Sequence, residues 1–231
     1  NLHYGTRGVV AGGFESDVVD TMEYFTISST GNATDFGNLS AARYGVEGVS
    51  NVSRGLFAGG VTPTAFFNTM EYITVGSTGE ATDFGDLTTT LNGPAGASNG
   101  YRALFAGGQD TQGSSQVVDT GNYAEIATTG NAIEYGSLSQ ARGSLQAVSN
   151  NSRGVFIAGY TNDVVTAGTY ENTIDYYTIS SSASAVDFGD TLADKYSVIA
   201  ADDSSRAVFG GGRINDNSNV DNMEYFSIGT I

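Results

Sequence analysis

The sequence predicts an all-β fold built as a tandem array: a β-propeller of about five four-stranded antiparallel blades, the first and last incomplete. Three observations carry this. One stretch returns five times: Ser53 to Gly60, reading Ser-Arg-Gly-Leu-Phe-Ala-Gly-Gly, has counterparts opening at Thr6, Tyr101, Ser152 and Ser205. The arginines it contains, Arg7, Arg54, Arg102, Arg153 and Arg206, stand 47, 48, 51 and 53 residues apart, so one supersecondary unit has been copied. The short runs between them alternate with period two, and none carries a sustained i, i+3, i+4, i+7 stripe. The 32 glycines and 2 prolines, without a Gly-X-Y period, suit many tight turns. A β-sandwich uses similar strands but does not explain a tandem period. The repeats divide the chain at 1–43, 44–92, 93–142, 143–195 and 196–231, within one domain of 231 residues.

Each repeat reads as four segments. Segment b runs from the arginine into paired glycines, a strand ending where the backbone needs φ > 0 or a close approach. Segment c is aromatic and β-branched, as in Met70-Glu71-Tyr72-Ile73-Thr74-Val75 and Met223-Glu224-Tyr225-Phe226-Ser227-Ile228. A hairpin turn follows, for example Ser77-Thr78-Gly79-Glu80. Segment d closes on an aromatic and a glycine: Phe36-Gly37, Phe84-Gly85, Tyr135-Gly136 and Phe188-Gly189. Segment a, such as Gly93 to Asn99, is small and rich in Gly, Ala, Ser and Val, which suits a strand beside a crowded central axis. The first repeat holds only the tail of a, and the last stops after c. These pieces do not complement one another, so either five blades close imperfectly or the ring continues. The chain opens at Asn1 inside a repeat, which reads as a processed chain or as part of a longer one.

Composition narrows the partners. The formal net charge is −16, from 25 acidic and 9 basic side chains. Such a surface repels phosphate backbones and anionic lipid, so neither nucleic acid nor a membrane is an expected partner. With no cysteine, disulfides and thiolate metal sites are excluded, while a virion or extracellular location is not. No run of about 18 apolar residues exists to span a bilayer, and no signal peptide is visible.

The order of a small strand, a strand ending in Gly-Gly, a strand with an acidic-aromatic pair and a strand with an aromatic resembles the kelch repeat. Gly59-Gly60, Gly107-Gly108 and Gly211-Gly212 stand where the kelch double glycine stands, and Glu71-Tyr72 and Glu224-Tyr225 where its downstream tyrosine stands. Segment d departs from the pattern, with Phe or Tyr in place of the kelch Trp. The repeat's wording, with Ser-Thr-Gly-Asn-Ala-Thr-Asp-Phe-Gly after segment c, is similar to arrays in virion proteins of tailed phages, especially those of marine cyanobacteria. That resemblance implies a non-enzymatic structural, tail-fibre or host-attachment module, contacting other virion proteins or a host surface glycan, with oligomers possible. The alternatives are a polysaccharide-active enzyme on a propeller scaffold and a bacterial surface protein.

Within the repeat, Arg7, Arg54, Arg102, Arg153 and Arg206 face an acid at Glu23, Glu71, Asp175 and Glu224, with Asn122 breaking the set. A group present once per blade reads as structural, through ion pairs or carbonyl contacts, rather than as an anion site. A second repeated acid, Asp35, Asp83, Glu134 and Asp187, is expected to accept turn N–H groups. The hairpin resembles a sialidase Asp-box but lacks its signature Asp. Copper chemistry like that of galactose oxidase needs a cysteine and two histidines, and His3 is the single His. No catalytic residue and no cofactor is assigned. Asp216, Asn219 and Asp221 form a weak calcium candidate, without the loop glycine or a terminal Glu. The b–c connections vary in length and chemistry, and such variation marks the face that binds. That face offers Phe14, Phe66, Phe67, Tyr160 and Tyr170 for stacking, and Asp110, Asn162, Asp163, Arg213 and Asn217 for hydrogen bonding. The same variation also suits packing against a neighbouring subunit.

Overall fold

A computed structural model describes residues 5–110, 116–161, 169–215 and 218–229. All regular structure within these residues is β, in five antiparallel sheets arranged in a ring as the blades of a propeller. Blade 1 contains β1 (Arg7–Phe14), β2 (Val18–Thr26) and β3 (Thr34–Asn38). Blade 2 contains β4 (Glu47–Ser50), β5 (Arg54–Ala58), β6 (Thr69–Thr74) and β7 (Thr82–Asp86). Blade 3 repeats that plan with β8 (Ala95–Ser98), β9 (Arg102–Ala106), β10 (Thr120–Glu125) and β11 (Ile133–Ser137). Blade 4 uses β12 (Gln146–Ser149), β13 (Arg153–Ile157), β15 (Thr169–Thr178) and β16 (Val186–Tyr196), with the short β14 (Tyr160–Thr161) paired to β15. Blade 5 has β17 (Ile199–Asp202), β18 (Arg206–Gly210) and β20 (Met223–Ser227), and its b–c connection contributes β19 (Arg213–Ile214) to the edge of β16.

The register repeats with the sequence. Each repeated arginine pairs with the last residue of its own strand c: Arg7 with Thr26, Arg54 with Thr74, Arg102 with Glu125, Arg153 with Thr178 and Arg206 with Ser227. The double glycine closes strand b. Gly59 holds φ +69°, a Cβ there would meet the Leu91 carbonyl oxygen at 2.4 Å, and the next amide, of Gly60, donates to that same oxygen at 2.8 Å. Strand a is the innermost, tied to its neighbours by small hydroxyls: Ser98 Oγ donates to the Ser50 carbonyl at 3.2 Å, and Ser149 Oγ to the Ser98 carbonyl at 2.8 Å. The a–b turns are Asx turns, in which Asn51, Asn99, Asn150 and Asp203 accept the amides of the second and third residues on.

The core lies between blades rather than within them. Among the described residues, four apolar clusters each join one blade to the next. Met22 and Phe36 pack on Phe57 and Ile73; Leu56 and Met70 on Phe105 and Ile126; Leu104 and Tyr135 on Phe156 and Tyr177; Val155 and Ile174 on Phe209 and Ile228. No such cluster joins blade 5 to blade 1 among these residues. The segment d aromatic edges the segment c tyrosine in a T-shaped pair, at 6.0 Å for Tyr24–Phe36 and 6.1 Å for Tyr72–Phe84. Residues 79 and 81 bond across to the preceding blade, where the Gly79 amide donates to the Phe36 carbonyl at 2.7 Å and that of Ala81 to Asn38 at 2.9 Å.

The repeated arginine and the repeated acid do not pair with each other. Each arginine lies over its own strand c tyrosine, 4.3 Å from the ring centre for Arg54 on Tyr72 and 5.0 Å for Arg206 on Tyr225. Four of the five then reach forward a blade. Nη1 of Arg7, Arg54, Arg102 and Arg153 donates to the carbonyls of Val75, Ile126, Ile179 and Ile228 at 2.8–3.1 Å. Arg102 also meets the exposed Glu125 at 3.0 Å. Carbonyl contacts, rather than ion pairs with the acid, thus account for this repeated residue.

The acid is met from the preceding blade by a different cation. Glu71 takes Arg43 and Asp175 takes Arg142 Nη2 at 2.7 Å, both from d–a connections, and Glu224 takes Lys195 from the end of β16, which runs through the equivalent stretch. Each acid also accepts a backbone amide from that stretch: Glu71 from Ser40 at 2.9 Å, Asp175 from Ser139 at 3.2 Å and Glu224 from Leu192 at 2.8 Å. In blade 3 both charges are gone together. Asn122 stands in the acid position and accepts the Thr88 amide at 3.0 Å, while buried Leu91 stands in the cation position. Burial pushes the Arg43 and Arg142 guanidiniums below their usual range, against the opposing pull of Glu71 and Asp175. The second repeated acid does not bind turn amides as expected, except Asp187, which accepts the Gly189 amide at 3.0 Å. The other three are exposed.

Candidate functional site

The b–c and d–a connections meet on one face. The residue after the double glycine bridges to the d–a connection in four blades: Val61 to Tyr44, Gln109 to Asn92, Tyr160 to Gly143 and Arg213 to Tyr196. In blade 1 the equivalent Phe14 edges Tyr44 at 5.8 Å. One backbone frame therefore holds Val61, Gln109, Tyr160 and Arg213 at matching places around the axis, and Phe14 takes the same position in its own repeat. The scaffold is constant and the side chains differ.

At the mouth of the axis lies a cavity of about 350 Å³, bordered by Glu47, Asn92, Pro94, Gln109, Ser144 and Ser197 among others. Asn92 Nδ2 donates to Gln109 Oε1 at 2.9 Å, and Gln109 Nε2 donates to the Tyr160 hydroxyl. Tyr160 in turn edges Tyr196 at 5.8 Å, and Tyr196 lies against Tyr170 at 4.5 Å. A continuous polar and aromatic arc thus leads from the cavity to the outer loops. Burial raises the Tyr160 hydroxyl above its ordinary range, helped by the neighbouring Tyr196, so it remains a neutral donor and acceptor. Glu47 is half-buried at the cavity wall and accepts the Gly96 amide at 3.1 Å. Lost hydration pushes its carboxyl up to about 8, against that hydrogen bond. A protonated Glu47 adds an O–H donor to the arc.

The residues expected to bind do not gather in one place. Tyr160, Tyr170 and Arg213 converge on the d–a connection of blade 4. Phe14 is exposed, while Phe66 and Phe67 are half-buried rather than fully exposed, with Phe67 beneath the Arg43 guanidinium at 5.2 Å. Asp110 holds the loop of blade 3, its amide donating to the Gln116 carbonyl at 3.1 Å. Asn162, Asp163 and Asn217 lie outside the described residues, as does Asp216 of the calcium candidate. Of that candidate's other members, Asn219 bridges to Arg213 and Asp221 is exposed. Among the described residues no group of three His, Asp or Glu is placed to hold a metal ion.

Sequence reasoning missed Asn92, Gln109, Tyr196 and Glu47. Aligning the position after the double glycine with its d–a partner is the signal that finds the first three. The geometry defines a β-propeller whose variable loops share one face. Among solved structures it is similar to YjhT, with a TM-score of 0.79 at 10% sequence identity, over 97% of this chain and 79% of that one. No family model and no curated protein matches the sequence.

Proposed function

We propose that the chain is a non-enzymatic recognition module with kelch-like blades, part of an extracellular phage particle, that presents its b–c and d–a face to a host surface glycan or to another virion protein. The observation that carries this is the set of equivalent positions on one face, four of them held by the same backbone bridge and filled by Val61, Gln109, Tyr160 and Arg213, with Phe14 at the same repeat position. Selection for folding alone gives like residues at like positions, as it does at the interblade arginines. Tyrosine faces beside amide donors and acceptors suit the alternating apolar and hydroxylated faces of a sugar. The phage setting rests on the wording of the repeats. A non-hydrolytic role is supported by the cavity itself. Glycoside hydrolysis uses two carboxylates about 5–10 Å apart, and Glu47 is the one carboxylate among the described residues bordering it.

Screening the protein on an array of bacterial surface glycans tests this, with Gln109→Ala and Tyr196→Ala alongside. The expected result is binding of a narrow glycan class, weakened at least tenfold by either substitution. Binding unchanged in both variants, or release of reducing ends from a polysaccharide, would overturn it. If the array is silent, loss of particle assembly in Tyr196→Ala assigns the face to a virion protein instead.

A further inference from the structure

All four blade-to-blade interfaces carry an apolar cluster and three add a buried ion pair, and both kinds of contact stand uncovered where blade 5 and blade 1 face each other's place in the ring. Ile27 directly follows strand c of blade 1 and is 62% exposed, whereas Val75 at the same position is 9% exposed and Ile126, Ile179 and Ile228 are 0%. Val10, Glu23 and Phe25 on that face are also exposed, while their counterparts Phe57, Glu71 and Ile73 are buried. On the opposite face of blade 5, Met223 is 74% exposed, and the equivalent Met22 and Met70 are 0%. Tyr225 and Val208 beside it are exposed too.

The polar half is equally unfilled. Among the described residues no cation meets Glu23, the only member of the acid set outside an interblade pair. Gly31 and Ala33 are exposed, although their counterparts Gly79 and Ala81 donate amides to the preceding blade. These features specify an occupant: apolar residues in register, an Arg or Lys for Glu23, and a strand edge for the amides of Gly31 and Ala33.

We propose that this seam seats a sixth repeat of the same pattern, supplied in cis, packing its strand c face on Met223 and Tyr225 and lending Glu23 a cation from its d–a connection. The interface is continuous in kind with the four already described.

The protein supplies its own test. Residues 79–150, appended after Ile231, would add a strand d to blade 5, one complete blade, and a strand a for blade 1. They also bring a second copy of Arg142 towards Glu23, and they contain no methionine. Peroxide oxidation followed by peptide mass analysis reads the seam directly. In the 231-residue chain Met223 should oxidise at least tenfold faster than Met22 and Met70. In the extended chain all three should be protected, and the melting temperature should rise. Met223 protected in a monomeric 231-residue chain overturns the proposal, because the ring then shuts on five blades. Protection in a dimer of defined mass overturns it in favour of a second copy. Reactive Met223 in an extended chain whose Met22 and Met70 stay protected overturns it as well. If the extended chain does not fold, Ile27→Asp in the original chain decides. No loss of stability, against clear loss for Val75→Asp, supports an uncovered seat, and equal loss refutes it.

Discussion

Replacing Arg142 by Leu, Asp175 by Asn, and both together tests why blade 3 differs from its neighbours. Arg142 and Asp175 are completely buried and 2.7 Å apart. Arg142 also donates to the carbonyls of Ala158 at 3.1 Å and Thr173 at 2.6 Å, while its Nε and Asp175 Oδ1 find no partner among the described residues. Removing one member leaves a buried charge without its counter-ion, which costs about 3–5 kcal/mol. Arg142→Leu strands the carboxylate with the Ser139 amide and hydroxyl. Asp175→Asn strands the guanidinium on carbonyls. The double variant recreates the neutral pair of Leu91 and Asn122, which blade 3 already accommodates with both side chains buried. Its net loss should be within about 1 kcal/mol, because buried ion pairs exchange for well-packed neutral groups at little cost. Urea denaturation of the four proteins gives the coupling energy, expected at about 5 kcal/mol or more from these figures, above the usual range for contacting residues. Losses that simply add in the double variant would refute the claim that cation and acid are one exchangeable unit.

Two further outcomes follow from named contacts. Gly85 and Gly189 share a backbone conformation, at φ +139° and +137°, but a Cβ on Gly85 would meet the Gly130 carbonyl oxygen of the next blade at 2.4 Å, while nothing lies within 4 Å of one on Gly189. Gly189→Ala should therefore cost only the backbone strain, about 1–3 kcal/mol, and Gly85→Ala clearly more, with equal denaturation midpoints counting against this. Glu47, with a carboxyl at about 8 in the fold against about 4.3 unfolded, keeps a proton that the unfolded chain releases between those values. Its contribution to stability should fall as pH rises from about 4.5 to 8, so Glu47→Gln should flatten that part of a melting-temperature profile, and parallel profiles would contradict it.

The blade plan is legible in the sequence because strands b and c repeat nearly word for word, so the Arg-to-aromatic register and the double glycine can be aligned by eye. The interblade cations are not legible in the same way. Arg43, Arg142 and Lys195 each stand seven residues after the segment d aromatic, as Leu91 does, but the residues around them do not repeat as strands b and c do, and each meets an acid 28–33 residues on, in another blade. The arginine conserved in position drew the acid to itself in a purely sequential reading, yet its guanidinium is held over a tyrosine and aimed at a carbonyl. One clue was present: the only repeat without the acid, at Asn122, follows the only d–a connection with Leu91 in place of a cation. At the binding face, aromatic content picked out Tyr160 and Tyr170. Asn92 and Gln109 were hidden because an amide in a loop carries no signal until its register partner is known.

Native-state hydrogen exchange at the hairpin turns tests most directly the claim that each blade is held by the one before it. The amides of Gly79, Ala81, Gly130 and Ala132 donate to strand d of the preceding blade at 2.7–2.9 Å and should exchange only through large openings. Those of Gly31 and Ala33, in the same turn of blade 1, should exchange at close to the rate of an unstructured peptide. Equal protection of both sets would contradict the account.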